Sequence, residues 1–421
     1  MVDSICIFED DGYSNLLPLV FTKPTYDLLS GILTLREKII FRFPKAPVTL
    51  HSRKYLENLL KRDNPEMLVN SFNKNVNSVL FINGRIILDD SLVKLLTECE
   101  DNSVFVSKDD VIAAKISGNF LNNLSNNLPE TFSIADFQNL KKIEIDATFI
   151  KYPWDLVNRN GIEISNDFDF LVDRNSEMIS GTIYENVTLI NRENIFIDLN
   201  AKIKPGVVLD AESGPIYIAR DVTIMPNSVI EGPCFIGENS IIKIGAKIYE
   251  NTSIGKMCKV GGEVEQSIIH SYSNKQHEGF LGHAYLGQWV NLGADTNNSD
   301  LKNNYSNVKV ILNDGDPIDT HSIFAGLIMG DHSKTAINTM INTGTVVGFS
   351  SNIFGSGFPE KYVTSFSWGG SDSLSTYEIS KSIEVANKVM ERRKMPFSDI
   401  DIELFTEIFK LTKNERAKRN M

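Results

Sequence analysis

The chain has 421 residues, of which 42% are apolar and 23% charged, so two or three domains with sizeable cores are expected. Its 54 acidic residues outnumber the 42 basic ones, and the net charge of −12 argues against a general nucleic-acid-binding protein. No apolar run is long enough for a membrane span, and the acidic N-terminus does not resemble a signal peptide. We therefore expect a cytoplasmic protein without a membrane or nucleic-acid partner.

Residues 1–172 alternate short apolar segments with helix-like stretches. Strands are predicted at 4–8, 78–82 and 103–106, and helices at 53–62 and 91–99. This alternation is typical of an α/β domain with a largely parallel sheet, in which ligands bind beyond the carboxyl ends of the strands. Two segments at such ends, FEDDG at 8–12 and NGR at 83–85, are therefore of interest.

A period of six residues dominates the middle of the chain. Every sixth position from Ile218 to Val260 carries Ile or Val. This period fits neither a helix nor a simple strand; it is typical of a hexapeptide β-helix, in which the aliphatic side chain points into a prism. Small residues two positions earlier, among them Cys234 and Cys258, are expected to fill the tight corners.

The same period predicts a solenoid domain over residues 173–372. Further inward positions are expected at Ile197, Ile203, Leu209, Ile268, Asn274, Phe280, Leu286 and Leu292, and, after a polar loop at 295–307, at Ile323, Met329, Thr335, Ile341, Val347 and Ile353. Asn274 would be a polar residue at an inward place. Residues 373–421 read as a helical extension, with helices at 374–395 and 400–411 that cap the solenoid.

Two blocks of sequence carry a family resemblance. One is SNKQHEGFLGHAYLGQWVNLGADTNN, continued to NNY, at 273–305, and the other is FEDDGYSNLLPLVFTKPTYDLLSGILTLREK at 8–38. They resemble the left-handed β-helix acyltransferases, and in particular the GlmU-type enzymes of the divergent branch in Bacteroidetes and archaea. The resemblance implies an α/β nucleotidyltransferase-like domain, a left-handed parallel β-helix with C-terminal helices, and a homotrimer.

The resemblance also implies an acetyl-transfer site. The family's catalytic histidine falls on His277, and a histidine suits the removal of an amine proton because its pKa lies near neutrality. Backbone N–H groups around Gly279 and Gly282 would stabilise the oxyanion. Substrate and the cosubstrate acetyl-CoA would contact Lys243, Asn291, Asn304, Tyr305 and Lys309.

Some positions depart from the family pattern. Glu265 stands where a second phosphate-binding lysine is expected, and Phe280 replaces a substrate-contacting tyrosine, so the identity of the sugar stays open. His283 is expected to be structural. The pair Asp331 and His332 is either close to the site or part of a turn.

The N-terminal domain departs further from the family pattern. Its first loop, EDDGYSN, has one glycine and three acids where the family has a glycine-rich phosphate loop, and Gly84-Arg85 replaces the Gly-Asp that holds Mg²⁺. The predicted nucleotide-binding residues are Gly12, Lys23, Arg36, Lys38, Asn83, Gly84 and Arg85. The domain is predicted either to bind a nucleotide with these substitutes, with Mg²⁺ as cofactor, or to be a degenerate relic.

The resemblance favours an enzyme of UDP-N-acetylglucosamine-type sugar-nucleotide biosynthesis. The solenoid would acetylate an amino-sugar 1-phosphate, and the N-terminal domain would couple a sugar 1-phosphate to UTP or dTTP. The alternatives are a nucleotidyltransferase whose solenoid serves only for trimerisation, and a non-catalytic assembly protein. A zinc enzyme resembling the gamma-class carbonic anhydrases is disfavoured, because the histidine spacing of that family is not matched.

Overall fold

The computed structural model describes residues 2–73 and 76–421, and its N-terminal part is built on a seven-stranded sheet. Neighbouring strands are parallel except Asp110–Ser117, which runs antiparallel to both of its neighbours. In spatial order the strands are Lys141–Glu144, Ser103–Ser107, Asp110–Ser117, Ser78–Asn83, Ile5–Phe8, Val48–Leu50 and Leu68–Val69. The predicted α/β fold with a largely parallel sheet is confirmed.

Helices pack on this sheet and follow the solenoid. They are α1 Leu35–Arg42, α2 Glu57–Asp63, α3 Asp90–Glu98, α4 Gly118–Asn126, α5 Pro153–Leu171, α6 Ile379–Glu391, α7 Asp399–Leu411 and α8 Lys413–Ala417. Short 3₁₀ helices lie at Asp11–Leu16, Thr25–Asp27, Lys54–Leu56, Ile134–Phe137 and Arg192–Asn194. Small antiparallel pairs join Leu29–Ser30 to Leu33–Thr34 and Ile86–Ile87 to Thr148–Phe149. None of the helices described is long and apolar enough to cross a membrane.

The solenoid has three faces of stacked parallel strands, as predicted. Face 1 contains Thr182–Ile183, Lys202–Ile203, Thr223–Ile224, Ile241–Ile242, Lys259–Val260, Asn274–Lys275, Lys334–Thr335, Asn352–Ile353 and Ser367–Gly369. Face 2 contains Thr188–Ile190, Val208–Asp210, Val229–Glu231, Lys247–Ile248, Glu263–Glu265, Phe280–Gly282, Asn297–Asn298 and Met340–Ile341. Face 3 contains Ile195–Ile197, Ile216–Ile218, Cys234–Ile236, Thr252–Ile254, Ile268–Ile269, Tyr285–Leu286, Ile328–Met329, Val346–Val347 and Tyr362–Val363.

The inward ladder from Ile218 to Val260 is confirmed, because all of its members are buried in one solenoid core. The predicted register is wrong for the coil that follows Val260, although Leu286 and Leu292 are again inward as predicted. The inward residues there are Val264, Ile269, Lys275 and Leu281, not Ile268, Asn274 and Phe280. The step from Val260 to Val264 is four residues, through Gly262 (φ 71°), and the step from Val264 to Ile269 is five, through Gln266 (φ 41°), so the count of six no longer holds.

The excursion from the second half of the solenoid is longer than predicted. The chain leaves face 2 after Asn297–Asn298 and returns at Ile328–Met329, with a hairpin of Lys309–Ile311 and Pro317–Asp319 between them. Ile323 therefore lies in the excursion and is 37% exposed, which contradicts its predicted inward place. The predicted helix at 374–395 begins only at Ile379, because Leu374–Thr376 pairs as a strand with Ser367–Gly369.

The N-terminal domain packs on the outside of face 3. Asn160 of α5 accepts a hydrogen bond from Gly31 N (2.8 Å) and donates to Ser253 Oγ (2.9 Å), while the Tyr285 hydroxyl accepts from Leu29 N (3.0 Å). Outward side chains of face 3, including Tyr285, belong to the same apolar core as the N-terminal domain. The two domains are thus joined by a buried interface, which positions everything described below.

Candidate acetyl-transfer site on face 1

The predicted base, His277, lies in the turn that follows the face 1 strand Asn274–Lys275, and its side chain is exposed. The next coil stacks on this strand through a backbone bridge between Asn274 and Asn291. Their side chains are also joined, since Nδ2 of Asn274 donates to Oδ1 of Asn291 at 3.4 Å. His277 and the predicted substrate-orienting amide therefore belong to neighbouring coils of one face.

A buried lysine supports the His277 turn from inside the solenoid. Lys275 is only 2% exposed, and its Nζ donates to the carbonyls of Gly261 (3.1 Å) and His277 (3.0 Å). Burial lowers the pKa of Lys275 to about 8. Lys275 was not predicted from the sequence, because the six-residue count assigned the inward place to Asn274. A polar residue also does not mark an inward position in a pattern of hydrophobic residues.

Basic side chains line the same face. Lys259 pairs in register with Asn274 on the adjoining coil, and Lys243 lies one coil further away, directly below Gly261. Burial, followed by the charges of Arg393, Lys243 and Arg392, lowers the pKa of Lys259. The positive charges of Arg393, Lys243 and Arg392 are thus close enough to Lys259 to repel its own charge. We call these four residues the cation cluster.

Arg393 reaches face 1 from the C-terminal extension. It follows α6, and its Nη2 donates to Oδ1 of Asn274 at 2.8 Å while Nη1 donates to the Met257 carbonyl at 2.9 Å. Neither Arg393 nor Lys259 was predicted. The coil register, once known, would identify Lys259 as the outward neighbour of Asn274, whereas no local pattern identifies Arg393.

The predicted substrate and acetyl-CoA contacts Asn304, Tyr305 and Lys309 lie on the excursion. Tyr305 is 69% exposed in a left-handed conformation (φ 54°), and Oδ1 of Asn304 accepts bonds from the N–H (3.1 Å) and hydroxyl (2.9 Å) of Ser306. Lys309 is exposed at the start of the hairpin. Within the described chain no hydrogen bond joins any of the three to His277, so their role stays a prediction.

Two further histidines have structural partners. Nδ1 of His283 lies 2.8 Å from Oδ2 of Asp300, and its ring stacks on Phe324 at 4.6 Å, which holds the start and end of the excursion together. His270 is buried between the domains, where Nδ1 accepts from Ser271 N–H (2.7 Å) and Nε2 donates to the Asp27 carbonyl (3.2 Å). Burial lowers the pKa of His270 to about 4, so its ring is neutral.

Two buried ion pairs occupy the carboxyl ends of the central strands in the N-terminal domain. Glu9 accepts from Nε (3.1 Å) and Nη2 (3.2 Å) of Arg53, and Asp10 accepts from Nε (2.8 Å) and Nη2 (2.6 Å) of Arg85. Gly12 lies against this second pair, because a Cβ there would be 2.1 Å from Nη2 of Arg85. This glycine makes room for the guanidinium.

Asn83 and Gly84 belong to the same cluster. Nδ2 of Asn83 donates to Asp10 (2.8 Å), and Gly84 lies below the Tyr26 ring, which a Cβ would meet at 2.7 Å. Predicted nucleotide-binding residues are thus brought together, but around a carboxylate. A phosphate at this place would have to compete with Asp10 for Arg85.

The remaining predicted phosphate partners are paired in the same way. Nε of Arg36 lies 2.8 Å from Oδ1 of Asp27, and Lys38 forms ion pairs with Glu163 (3.0 Å) and Asp167. Lys23 pairs with Asp331 of the solenoid, and both side chains are buried. These lysines and arginines therefore connect parts of the fold, and their nucleotide-binding role stays a prediction.

The N-terminal domain does not present a magnesium site. Mg²⁺ binds through carboxylate oxygens and water, yet Glu9 and Asp10 are committed to Arg53 and Arg85, and the family's aspartate position holds an arginine. Within the residues that the structure describes, no group of three acidic, histidine or cysteine side chains is arranged to hold a metal ion. The residues present do not fit the implied cation.

A cavity of about 780 Å³ lies between the N-terminal domain, face 3 and the C-terminal helices. Its walls include Asp27, His332 and the stacked rings of Tyr272 and Trp289, whose centroids are 4.3 Å apart. Burial raises the pKa of Asp27 to about 6 and lowers that of His332 to about 3. His277, Lys243, Lys259 and Arg393 do not line this cavity, so it is distinct from the candidate site on face 1.

Comparison with known proteins defines the class of the N-terminal domain first. Residues 5–176 match the family model described as sugar nucleotidyl transferase. This range contains the whole seven-stranded sheet and α1 to α5. The chain therefore joins a sugar nucleotidyl transferase family domain to a hexapeptide-repeat β-helix.

The relatives then define the type of protein. The bifunctional protein GlmU of Wigglesworthia glossinidia brevipalpis is 26% identical over 283 residues, which cover 66% of this chain and 57% of that protein. The one of Synechococcus elongatus is 27% identical over 209 residues, covering 44% and 41%. The chain thus spans about half the length of these relatives, and it is similar to proteins of the GlmU type at modest identity.

Solved structures were also compared. The UDP-N-acetylglucosamine acyltransferase from Campylobacter jejuni aligns with 53% of this chain and 93% of its own, at 13% identity and a TM-score of 0.23.

Proposed function

We propose that the chain is a cytoplasmic transferase of sugar-nucleotide biosynthesis, whose solenoid moves an acetyl group from acetyl-CoA to an amino-sugar 1-phosphate of the glucosamine type. The observation that carries this proposal is the position of His277, which is exposed on the coil next to Asn291 and beside the basic side chains of face 1. The GlmU relatives, which are named bifunctional, support it.

His277 is the general base of the proposed reaction. Its imidazole takes a proton from the acceptor amine, the amine nitrogen attacks the thioester carbon, and the C–S bond breaks to leave an amide and the thiol of coenzyme A. Asn274 on the same coil and Asn291 on the next coil present amide groups on face 1, where they orient the acceptor. Lys275 restricts the turn by holding the His277 carbonyl.

The two glycines predicted to flank the oxyanion differ in their hydrogen bonds. The N–H of Gly282 donates to Oδ1 of Asn298 at 2.9 Å, so its role as an oxyanion donor stays a prediction. Gly279 lies two residues after His277 in a conformation that favours glycine (φ 116°). We assign the oxyanion contact to the backbone around Gly279.

We propose a homotrimer that assembles through the corner between faces 1 and 2. Ile244 and Ile337, which are 60% and 68% exposed, lie in turns after face 1 like His277, and Met340 is 43% exposed on the adjoining face. Exposed apolar side chains on one corner are typical of a subunit contact. Asn304, Tyr305 and Lys309 would then act on the site of a neighbouring copy.

Acetyl transfer is tested by mixing the purified protein with glucosamine 1-phosphate and acetyl-CoA and following free thiol. His277→Ala should lower the rate by at least about 100-fold, because general-base catalysis contributes about that much. His321→Ala is the matched control, since its side chain is 88% exposed on the hairpin. Full activity in His277→Ala, or no thiol release by the wild type with any amino-sugar phosphate, would refute the proposal.

Nucleotidyl transfer by the N-terminal domain is the second candidate function, favoured by the family match over residues 5–176. Its test is pyrophosphate release from UTP or dTTP with glucosamine 1-phosphate and N-acetylglucosamine 1-phosphate, with and without Mg²⁺. Arg85→Gln should abolish any release, because this guanidinium is one of the two buried cations at the strand ends and the one that replaces the family's aspartate. No release by the wild type leaves the domain with the structural role of holding face 3.

A further inference from the structure

The cation cluster on face 1, made of Lys243, Lys259, Arg392 and Arg393, differs from the basic residues of the N-terminal domain that were predicted to bind phosphate. The predicted phosphate-binding residues of the N-terminal domain all carry carboxylate partners. In the described part of the chain, no acidic side chain forms an ion pair with any member of the cation cluster, and the groups that act on Lys259 are all positive. Four unneutralised cations side by side are unusual in a chain of net charge −12.

The cation cluster has fixed geometry as well as charge. Arg393 is held at two points, by the Met257 carbonyl and by Oδ1 of Asn274, which leaves further N–H donors of its guanidinium unused. Lys259 projects from the same face in register with Asn274. A guanidinium with free donors beside a lysine is an arrangement that recognises phosphate oxygens.

We infer that the cation cluster binds a phosphate monoester group, that of the sugar acceptor, and that Arg393 and Lys259 are its specificity-determining residues. This inference rests on the proposed function. It explains how the chain tolerates Glu265 at the place of a family lysine: the second cation comes from the C-terminal extension instead of from face 2. Bound phosphate also bridges the solenoid and the segment after α6.

The acceptor is a better source of this phosphate than coenzyme A. The side chain of Asn274 accepts a hydrogen bond from Arg393 and donates one to Asn291. The cation cluster therefore adjoins the two amides assigned to the acceptor. Asn304 and Tyr305, which the resemblance assigns to contacts with acetyl-CoA and substrate together, lie on the excursion, which leaves from face 2. The charge of the acceptor therefore falls on face 1.

Direct binding tests the inference without requiring catalysis. Calorimetric titration of glucosamine 1-phosphate, inorganic phosphate and glucosamine is compared for the wild type, Arg393→Gln, Lys259→Gln and the control Lys388→Gln. Lys388 is an exposed lysine of α6 whose removal changes the net charge equally. Each substitution in the cation cluster should weaken glucosamine 1-phosphate about 10- to 100-fold, the loss expected for a charge-assisted hydrogen bond, and leave glucosamine unchanged.

Coenzyme A and dephospho-coenzyme A form the second arm of the titration. If Arg393→Gln and Lys259→Gln weaken coenzyme A alone and not glucosamine 1-phosphate, the acceptor assignment is overturned. Equal affinity of all variants for glucosamine 1-phosphate overturns the phosphate site itself. The side chain of Lys259 forms no hydrogen bond or ion pair in the described chain, so its variant remains informative if Arg393→Gln does not fold.

The outcome is separable from that of the proposed function. A wild type that binds glucosamine 1-phosphate through the cation cluster but releases no thiol refutes acetyl transfer and supports the phosphate site. Hydrogen exchange provides a structural readout, because a ligand that bridges face 1 and the chain after α6 should slow exchange of amides at 389–395 in the wild type. The same ligand concentration should leave this segment unprotected in Lys259→Gln.

Discussion

The ammonium of Lys275 donates to the main-chain carbonyl of His277 at 3.0 Å from inside the solenoid. On the inner side of face 1, Lys275 therefore takes the place of an aliphatic residue between Val260 and Leu292. It lies on the coil whose turn carries the predicted base, His277. A buried lysine makes the solenoid less stable than an aliphatic residue would, because burial disfavours the charged form of the amine. We interpret it as a constraint on the turn of the base.

Lys275→Met should separate stability from activity. Folding lowers the pKa of Lys275 from 10.5 to about 8, so between these values the unfolded chain binds more protons and the free energy of unfolding of the wild type rises with pH. The variant lacks this gain. Its stability relative to the wild type should be greatest at pH 7 and fall by on the order of 3 kcal/mol by pH 10.5.

Denaturant unfolding at several pH values measures this difference, and the acetyl-transfer rate should drop about 10-fold because the turn is no longer held. Lys381→Met, on the exposed surface of α6, is the matched control and should change neither quantity. Parallel pH profiles of Lys275→Met and the wild type would show that Lys275 is not buried as described.

The ion pair between Lys23 and Asp331 should couple the two domains. Removing one partner leaves a buried charge, so Asp331→Asn or Lys23→Met should cost about 3 to 5 kcal/mol of unfolding free energy, while the double variant should cost less than the sum. A double-mutant cycle by chemical denaturation measures this coupling. Additive losses would mean that the two side chains do not interact.

The same pair has a pH signature. Burial raises the pKa of Asp331, but Lys23 and hydrogen bonds from Thr22 and Gln288 lower it more, and the net pKa is below its usual value of 3.8. Its contribution to stability is therefore complete above pH 3.8 and decreases as the pH falls further. Lys23→Met should remove this acid-induced loss, which thermal unfolding between pH 2.5 and 5 would detect.

Gly12→Ala should destabilise the N-terminal domain through Arg85. The added Cβ would displace the guanidinium from Asp10, so we expect a loss of about 3 kcal/mol or more in unfolding free energy. Gly118→Ala provides the comparison, because nothing lies near its Cβ and its left-handed backbone (φ 59°) should cost only about 1 kcal/mol. Equal losses in the two variants would contradict the steric argument.

The cysteines should react slowly in the folded protein. Cys6, Cys234 and Cys258 are buried, burial raises the pKa of all three thiols, and that of Cys258 rises to about 12. Only Cys99 is partly exposed, so a thiol reagent should label at most one cysteine per chain until denaturant is added. Rapid labelling of more than one would contradict the corner positions of Cys234 and Cys258, and it would also compromise the thiol assay.

The β-helix could be predicted from sequence because its signal is local. Each strand between Ile218 and Val260 must present an aliphatic side chain to the same prism, so the pattern repeats every six residues. It can therefore be recognised without knowledge of any long-range contact. The α/β alternation of the first 172 residues can be recognised for the same reason. His277 was located through its family resemblance, in the turn where the structure shows an exposed side chain.

The partners of the polar groups depended on the tertiary structure. Lys23 meets Asp331 across 308 residues of chain, and Arg393 meets Asn274 across 119, so no spacing in the sequence announces either contact. The sequence does not distinguish a lysine or arginine that a carboxylate neutralises from one that stays unpaired. Docking decides which, because the charge that faces each of them comes from a distant element: carboxylates neutralise the phosphate partners predicted in the N-terminal domain, whereas no ion pair in the described chain neutralises the cation cluster.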